Sequence, residues 1–295
     1  MSYVDTAAAA AINPRARRRR LLRKRFLRRP LAVAGLVVAL AFVCAAVFAP
    51  VVAPYSASAT DFNATLAPPF THGHLLGTDE LGRDQLSRII WGSRASIQAG
   101  VFSTLLAIVL AVPIGIVAGY YRGWIDPVIA RLTDVLLAFP FLVLAVGLAA
   151  ILGPSLTNAT LALGLGAVPG LIRIARGEAL ALREEDFVRA AVANGARDVS
   201  ILSRHVLPNM LSTLIGQATV TIPAAIIGEA VLSFLGLGVQ PPRPSWGVML
   251  SDAQSYLSQD PRLAIFAGIA FFLCSLSFNL LWVGLRDVLY PRTTR

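Results

Sequence analysis

Four groups of residues in this 295-residue chain have types and spacings that could do chemistry. The first is a polar stretch between two apolar runs, with Asp186, Phe187, Arg189, Ala190, Ala191 and Gly195 followed by His205, Leu207 and Pro208. It contains no nucleophile paired with a base. Its adjacent small alanines let another surface approach closely, so its chemistry is docking; a solvated helix lying on lipid headgroups is the equal alternative. The second group is Glu229, alone in an apolar run with Ser233 and Phe234 one turn on. A charge in hydrocarbon costs at least ~2.5–3.5 kcal/mol. Glu229 therefore faces a pathway or gate together with Ser233 and Phe234, or holds two helices together by hydrogen bonds. The third group is Asp79, Glu80, Arg83 and Asp84, set among glycines. With Trp246 these form a contact for an extracytoplasmic binding protein, or a gate scaffold, or they cap a turn that enters an interfacial helix. The fourth is His72 and His74 around Gly73. Two histidines without a third ligand are a weak metal signal, and the structural reading is preferred.

The elements that position these groups follow from hydropathy. Hydrophobic residues make up 56% of the chain and charged residues 14%, against roughly 25% charged in a typical soluble domain. Mean hydropathy is +0.68. Six apolar runs are long enough to cross a bilayer: Leu31–Ala53, Ile97–Tyr120, Leu132–Leu152, Leu156–Ile172, Met210–Leu237 and Leu263–Leu285. The fold expected is all-α, a polytopic bundle of six transmembrane helices with one cytosolic helical loop. The first run exceeds the ~7–15 residues of a signal-peptide core, so it reads as an uncleaved helix. Gly153-Pro154-Ser155 is a tight turn that makes an antiparallel hairpin of the third and fourth runs. Gly115 and Gly119 permit a close helix approach, and Asp134 is placed to pair with Arg131 at i−3. Cys44 and Cys274 read as small buried hydrophobes, and Trp124, Trp246 and Trp282 as interfacial anchors. In the polar loop, helix formers run from Glu178 to Val192, Gly195 ends that helix, and Asp198 caps a second one leading to Pro208.

Net charge is +10, but it is sorted by position. Ten basic residues lie between Arg15 and Arg29, directly before the first run. Such a tail is a topology signal that also meets anionic lipid, rather than a nucleic-acid site. With a cytoplasmic N-terminus, 21 basic residues fall inside and 5 outside, which places both termini in the cytoplasm. The chain then divides into a basic tail (1–30), a first span with an extracytoplasmic segment (31–96), a five-span core (97–287) with the loop 176–208, and a short tail (288–295). No internal repeat supports a carrier built of two inverted halves, and no GxxxxGK[ST] pattern provides a phosphate-binding loop.

Arg189-Ala190-Ala191, then Gly195, then His205-Val206-Leu207-Pro208 resembles the Glu-Ala-Ala loop of bacterial ABC importer permeases. The family pattern is Glu-Ala-Ala, three residues, Gly, nine residues, Ile, one residue, Leu-Pro; Arg189 and His205 depart from it. His74 to Asp84 with Ser87-Arg88, and Gly228 to Gly238 with Pro241-Pro242 and Pro244-Ser245-Trp246-Gly247, resemble the C-type permeases for dipeptides and oligopeptides. The resemblance implies a coupling helix seated on an ATP-hydrolysing subunit, with Asp186, Phe187, Arg189, Ala190, Ala191, Gly195, His205, Leu207 and Pro208 at the junction. It further implies a homologous second permease, two ATP-binding subunits that carry ATP and magnesium, an extracytoplasmic binding protein or lipoprotein, and a peptide substrate. No cofactor, metal or catalytic residue is expected in this chain, and its place is the bacterial inner membrane. Nickel, haem or antimicrobial peptides are alternative cargoes. A stand-alone secondary transporter is the rival from another class, and it would want more intramembrane carboxylates than Glu229.

Overall fold

The computed structural model describes Lys24, residues 26–71 and residues 73–289, with side chains to 286. Expectations placed on residues 1–23, Arg25, His72 and 290–295 lie outside the described residues. In lipid every backbone amide must be satisfied within the segment, so apolar runs become helices. The helices are α1 (Pro30–Val47), α2 (Ala49–Val52), α3 (Gln85–Tyr121), α4 (Ile125–Leu137), α5 (Phe141–Leu152), α6 (Leu156–Arg183), α7 (Asp186–Ala193), α8 (Asp198–Ile201), α9 (Leu207–Phe234), α10 (Trp246–Gln254) and α11 (Arg262–Leu289). A π-helical turn, Leu202–Val206, joins α8 to α9. Five stretches are long and apolar enough to cross a membrane, and α4 with α5 makes a sixth if that bent pair is one span.

Three boundaries differ from the hydropathy reading. The second span starts at Gln85 rather than Ile97, because Asp84 caps it through Ser87 N at 2.7 Å. The resulting 37-residue helix is about 55 Å long, well beyond a ~30 Å hydrocarbon core. The boundary drawn between residues 96 and 97 therefore falls inside one helix. The third run is not straight: α4 and α5 meet at 85°. Pro140 lacks the donor a continuing helix needs and disfavours helical backbone at Phe139. The fourth helix continues past Ile172 to Arg183 because its arginines find acids on α4. Arg173 pairs with Asp134 at 2.8 Å, so the local Arg131 partner expected for Asp134 is replaced by one across the fold. Arg176 grips Asp126 with two nitrogens.

Helix association rests on small residues. A Cβ on Gly115 would stand 2.6 Å from Ala175 Cβ, and one on Gly119 would stand 2.5 Å from the Arg176 carbonyl oxygen. The glycine pair of α3 thus meets an alanine pair, Ala175 and Ala179, at the same spacing on α6. Lipid tails are as apolar as leucine, so helices associate through such close packing rather than hydrophobic exclusion. Gly35 of α1 meets the Ser277 backbone of α11 in the same manner. Near the end opposite residues 183–208, Trp246 is fully buried, edge-on to Phe42, and donates its indole N–H to Ile89 O. Its expected role as an interfacial anchor is thereby corrected. Cys274 is buried as expected, whereas Cys44 is exposed on α1.

Gly119→Val should lower the thermal midpoint of the purified protein strongly, since overpacking costs about 1–3 kcal/mol or more. Gly268→Ala, where a Cβ meets nothing within 4 Å, should leave the midpoint nearly unchanged in the same fluorescence-based melt.

Candidate functional site

The arm formed by residues 183–208 is built in three joints. The single helix expected over Glu178–Val192 is two. α6 stops at Arg183, and Glu184 N and Glu185 N close a tight turn onto Ala181 O and Leu182 O. Acidic residues are unfavourable at a helix C-terminus and favourable at an N-terminus. Glu184-Glu185-Asp186 therefore ends one helix and begins the next. At the second joint Gly195 has φ +71°, with Gly195 N bonded to Val192 O and Ala196 N to Ala191 O. This pair of bonds is a Schellman closure, and its left-handed residue favours glycine. Third, Asp198 does not cap α8. Arg197 holds that position without a side-chain cap, and the Asp198 carboxylate instead accepts from the Tyr120 hydroxyl at 3.2 Å. Pro208 is the second residue of α9, directly after the π turn, where a helix's first turn tolerates a missing N–H. Helical turns thus run without a break from Asp198 to Phe234.

One core holds the arm to the bundle. Val188, Ile201, Val206 and Met210 are buried together with Val112, Ile116 and Tyr120 of α3 and with Ala175 and Ala179 of α6. Tyr120 is the centre of the polar contacts around it. Its carbonyl accepts from Arg183, that guanidinium lies 5.6 Å from its ring centroid, and its hydroxyl reaches Asp198. Arg122 pairs with Glu184 across the same joint. Arg189, where the family pattern has Glu, donates from Nε and Nη2 to Glu184 O at 2.9 and 2.6 Å, so it caps the end of α6. The sequence reading missed Tyr120, Arg122, Arg183 and Glu184. The available signal was Tyr120-Tyr121-Arg122 at the edge of an apolar run, which reads equally well as a membrane boundary.

The opposite face of the arm is free of the bundle. Phe187 is 40% exposed and Val199 75% exposed; Asp186, Ala190, Leu207 and Pro208 are exposed with them. His205 is half-buried, with its ring 6.3 Å from that of Phe187. The nine residues of the expected junction therefore sit on one arm, with apolar patches and Arg189, Arg197 and Arg204 outward. Such a surface can seat in a groove of a partner, and it contains no group placed for covalent chemistry.

Glu229 is fully buried within the chain. Its two oxygens accept from Ser96 Oγ of α3 at 2.8 Å and from Ser233 Oγ at 2.7 Å, and Ser233 Oγ in turn accepts from Val239 N at 3.0 Å. Of the two readings open in the sequence, this geometry carries the structural one: Glu229 and Ser233 tie α3, α9 and the following loop together. Phe234 is exposed at the end of α9.

The cluster expected to contact an extracytoplasmic protein is largely internal. Asp79, Arg83, Asp84 and Trp246 are buried. Arg83 pairs with Asp79 and Glu80, both at 2.6 Å, and Arg88 with Asp79 at 3.3 Å and Asp252 at 3.4 Å. Asp84 accepts from Ser87 N and lies 2.8 Å from His74 Nδ1, so His74 has a structural partner. As a contact surface the set is corrected: its groups turn inward, where Asp79, Glu80 and Arg83 pair within the chain, Asp84 is held by Ser87 N and His74, and Arg88 joins α3 to α10 through Asp252. Burial, aided by Asp79, holds the Glu80 carboxyl above the usual carboxylate range and outweighs its pairing with Arg83. Burial does the same for Asp252 against Arg88 and Arg83.

Residues 111–295 match the family model of the binding-protein-dependent transport system inner membrane component. Residues 18–69 match that of the N-terminal transmembrane domain of oligopeptide transport permease C. A dipeptide transport system permease protein of Alkalihalophilus pseudofirmus is 41% identical over 269 residues, covering 91% of this chain and 88% of that protein. A glutathione transport system permease protein of Pectobacterium atrosepticum is 42% identical over 270 residues, covering 91% and 89%. In fold, the chain resembles a solved chain of an inward-facing methionine ABC transporter, with a TM-score of 0.55 and 20% identity over 68% of this chain and 94% of that one.

Tyr120→Phe keeps the ring and removes the hydroxyl held by Asp198. Amide hydrogen exchange across Asp198–Ile201 should then quicken by about tenfold, the equivalent of one ordinary hydrogen bond, while exchange at Val188 stays as it was. Glu80 gives a pH signature. Its folded pKa is raised, so its stabilising contribution is complete below the unfolded value and lost as pH rises through the folded one. Glu80→Gln removes that titration. From about pH 4 to about pH 7, the midpoint difference between variant and parent should move in the variant's favour.

Proposed function

The chain belongs to the family of binding-protein-dependent transport inner membrane components, as a permease of the ABC peptide-importer type, and we propose that it forms half of a path for short peptides. The observation that carries the reading is the arm. Its inner face is sealed into a core shared by α3, α6 and α9, while Phe187, Ala190 and Val199 face outward. A surface attached in this way passes displacement to three helices at once. Dipeptides and glutathione, named in the relatives, both put the cargo in the class of short peptides.

In this reading a homologous second permease supplies the other half of the path. Two ATP-binding subunits seat the arms, and an extracytoplasmic binding protein delivers the peptide. The only lysine is Lys24, preceded by Arg23, so no phosphate-binding lysine loop can form in this chain. ATP and magnesium therefore belong to the partners, and hydrolysis is their work. The basic excess on the arm side supports a cytoplasmic arm with both termini beside it, in a bacterial inner membrane. When the nucleotide subunits close, each arm moves with α9, because helical turns run unbroken from Asp198 to Phe234 and one core holds Val188, Ile201, Val206 and Met210 together. The two bundles rock and the cavity between them opens outward; hydrolysis returns it. ATP binding can drive this only through contacts that differ between the two states, and the arm is where those contacts form.

Gly195→Val tests the joint. No atom lies within 4 Å of a Cβ built there, so the effect is one of backbone conformation, about 1–2 kcal/mol for a left-handed non-glycine residue. In the complete importer reconstituted in liposomes, uptake of labelled di- to pentapeptides should fall at least fivefold more than ATPase activity. An assembled complex with both rates at parental levels would rule out the lever.

A further inference from the structure

At the end opposite the arm the chain lines an open-sided cavity of about 710 Å³, within the ~300–1,000 Å³ of small-ligand sites. Trp91, Arg94 and Gln98 line it from α3; residues three and four apart share a helix face. Arg243 and its flanking prolines line it from the loop before α10, and Leu156 from the first turn of α6. The charge of this cavity is one-sided, with no Asp or Glu in its lining. Five arginines lie at this end of the described chain. Arg83, Arg88 and Arg262 each have a carboxylate partner. Arg94 and Arg243 have none among the described residues, and both line the cavity.

Three further features favour an anion. The Arg94 guanidinium is stacked on Trp91, 5.3 Å from the ring centroid, which orients its planar fork in advance. The Trp91 indole nitrogen is buried without a hydrogen-bond acceptor. The positive end of the 28-residue α6 borders the same space through Ser155 and Leu156, where a helix carries roughly half a unit charge. Beside these donors, Trp91, Leu156 and the prolines offer an apolar wall.

We propose that this cavity receives the terminal carboxylate of the transported peptide, with Arg94 and Arg243 holding the oxyanion and the apolar wall covering the adjoining side chain. The proposal rests on the reading of the chain as a peptide-importer permease. A lipid phosphate shares the oxyanion chemistry, and the test separates the two sources.

The complete importer is placed in nanodiscs of phosphatidylcholine and labelled with a tripeptide that carries a benzophenone side chain, either as the free acid or as the C-terminal amide. Mass spectrometry then maps the crosslinks on this chain. The free acid should label cavity residues at least tenfold more than the amide, about 1.4 kcal/mol of discrimination. Arg94→Gln with Arg243→Gln should reduce acid labelling to the level of the amide. The acid–amide comparison needs no variant, so a double variant that fails to assemble leaves the proposal open to refutation. Equal labelling by acid and amide, or labelling wholly outside the cavity, overturns it. So does phosphatidylglycerol retained through Arg94 and Arg243 in native mass spectra and undisplaced by peptide. Uptake by the same importer in liposomes separates the two levels. Uptake without cavity labelling removes this site alone, whereas no uptake of any peptide removes the import reading.

Discussion

The close approach of α3 and α6 is the constraint on which the rest of the structure depends. Gly115 and Gly119 leave no room between their helix and Ala175 and Ala179. In lipid this contact has no hydrophobic exclusion behind it, so it rests on shape and dispersion at short range. Its consequences extend to both ends. At one end it sets Tyr120 beside Arg183 and so creates the floor on which the arm rests. At the other, Gly164 packs on Leu106 and Ser103, and the outward course of both helices brings the start of α6 to the cavity lined by α3. A β-branched residue in this seam would tilt both ends together.

Buried polar groups then serve as ties rather than as reactive groups. Glu229 spends both oxygens on serines. The aspartates and arginines around Arg83 and Arg88 neutralise one another between α3, the loop before it, and α10. A buried ion pair adds little net stability, because desolvation offsets attraction, yet losing one partner leaves an uncompensated charge. The value of these ties lies in register: they hold the long outer turns of α3 in one position against α10. Arg189 illustrates the same economy at the arm. It departs from the family pattern in charge, and its side chain is used to satisfy the exposed carbonyl at the end of α6. The exposed face next to it is therefore set mainly by the apolar and small residues Phe187 and Ala190.

Much of the architecture was legible in the sequence. Apolar runs mark the spans, Gly195 marks one joint of the arm, and Ala190 with Leu207-Pro208 lie on its exposed face, because each depends on composition or on spacing within one segment; Ala191, expected with them, packs half-buried on the inner core. The errors share a cause. Residues 85–96 contain Arg88, Arg94 and several serines, so hydropathy ends there, although the helix continues, with Arg88 paired to Asp252 of α10, Ser87 and Ser96 bonded to Tyr55 and Glu229, and Arg94 left facing the cavity. Tryptophan commonly sits at an interface, yet Trp246 is buried against Phe42 of α1 and Ile89 of α3. Asp134 and Asp198 have plausible local roles within their own segments, and both are captured by residues far along the chain, Arg173 and Tyr120.

By itself the sequence determined that this is a helical membrane protein, where its apolar runs lie, and that the arm turns at Gly195, since those depend on the solvent and on local backbone preference. Only the tertiary structure decided which polar groups are ties and which are free. A carboxylate such as Asp79 or Glu229 looks the same in sequence whether it meets a partner or faces solvent. The difference lies in whether a distant segment brings a countercharge or a hydroxyl to it. Among the arginines of the loop end, that single criterion separated Arg83, Arg88 and Arg262 from Arg94 and Arg243.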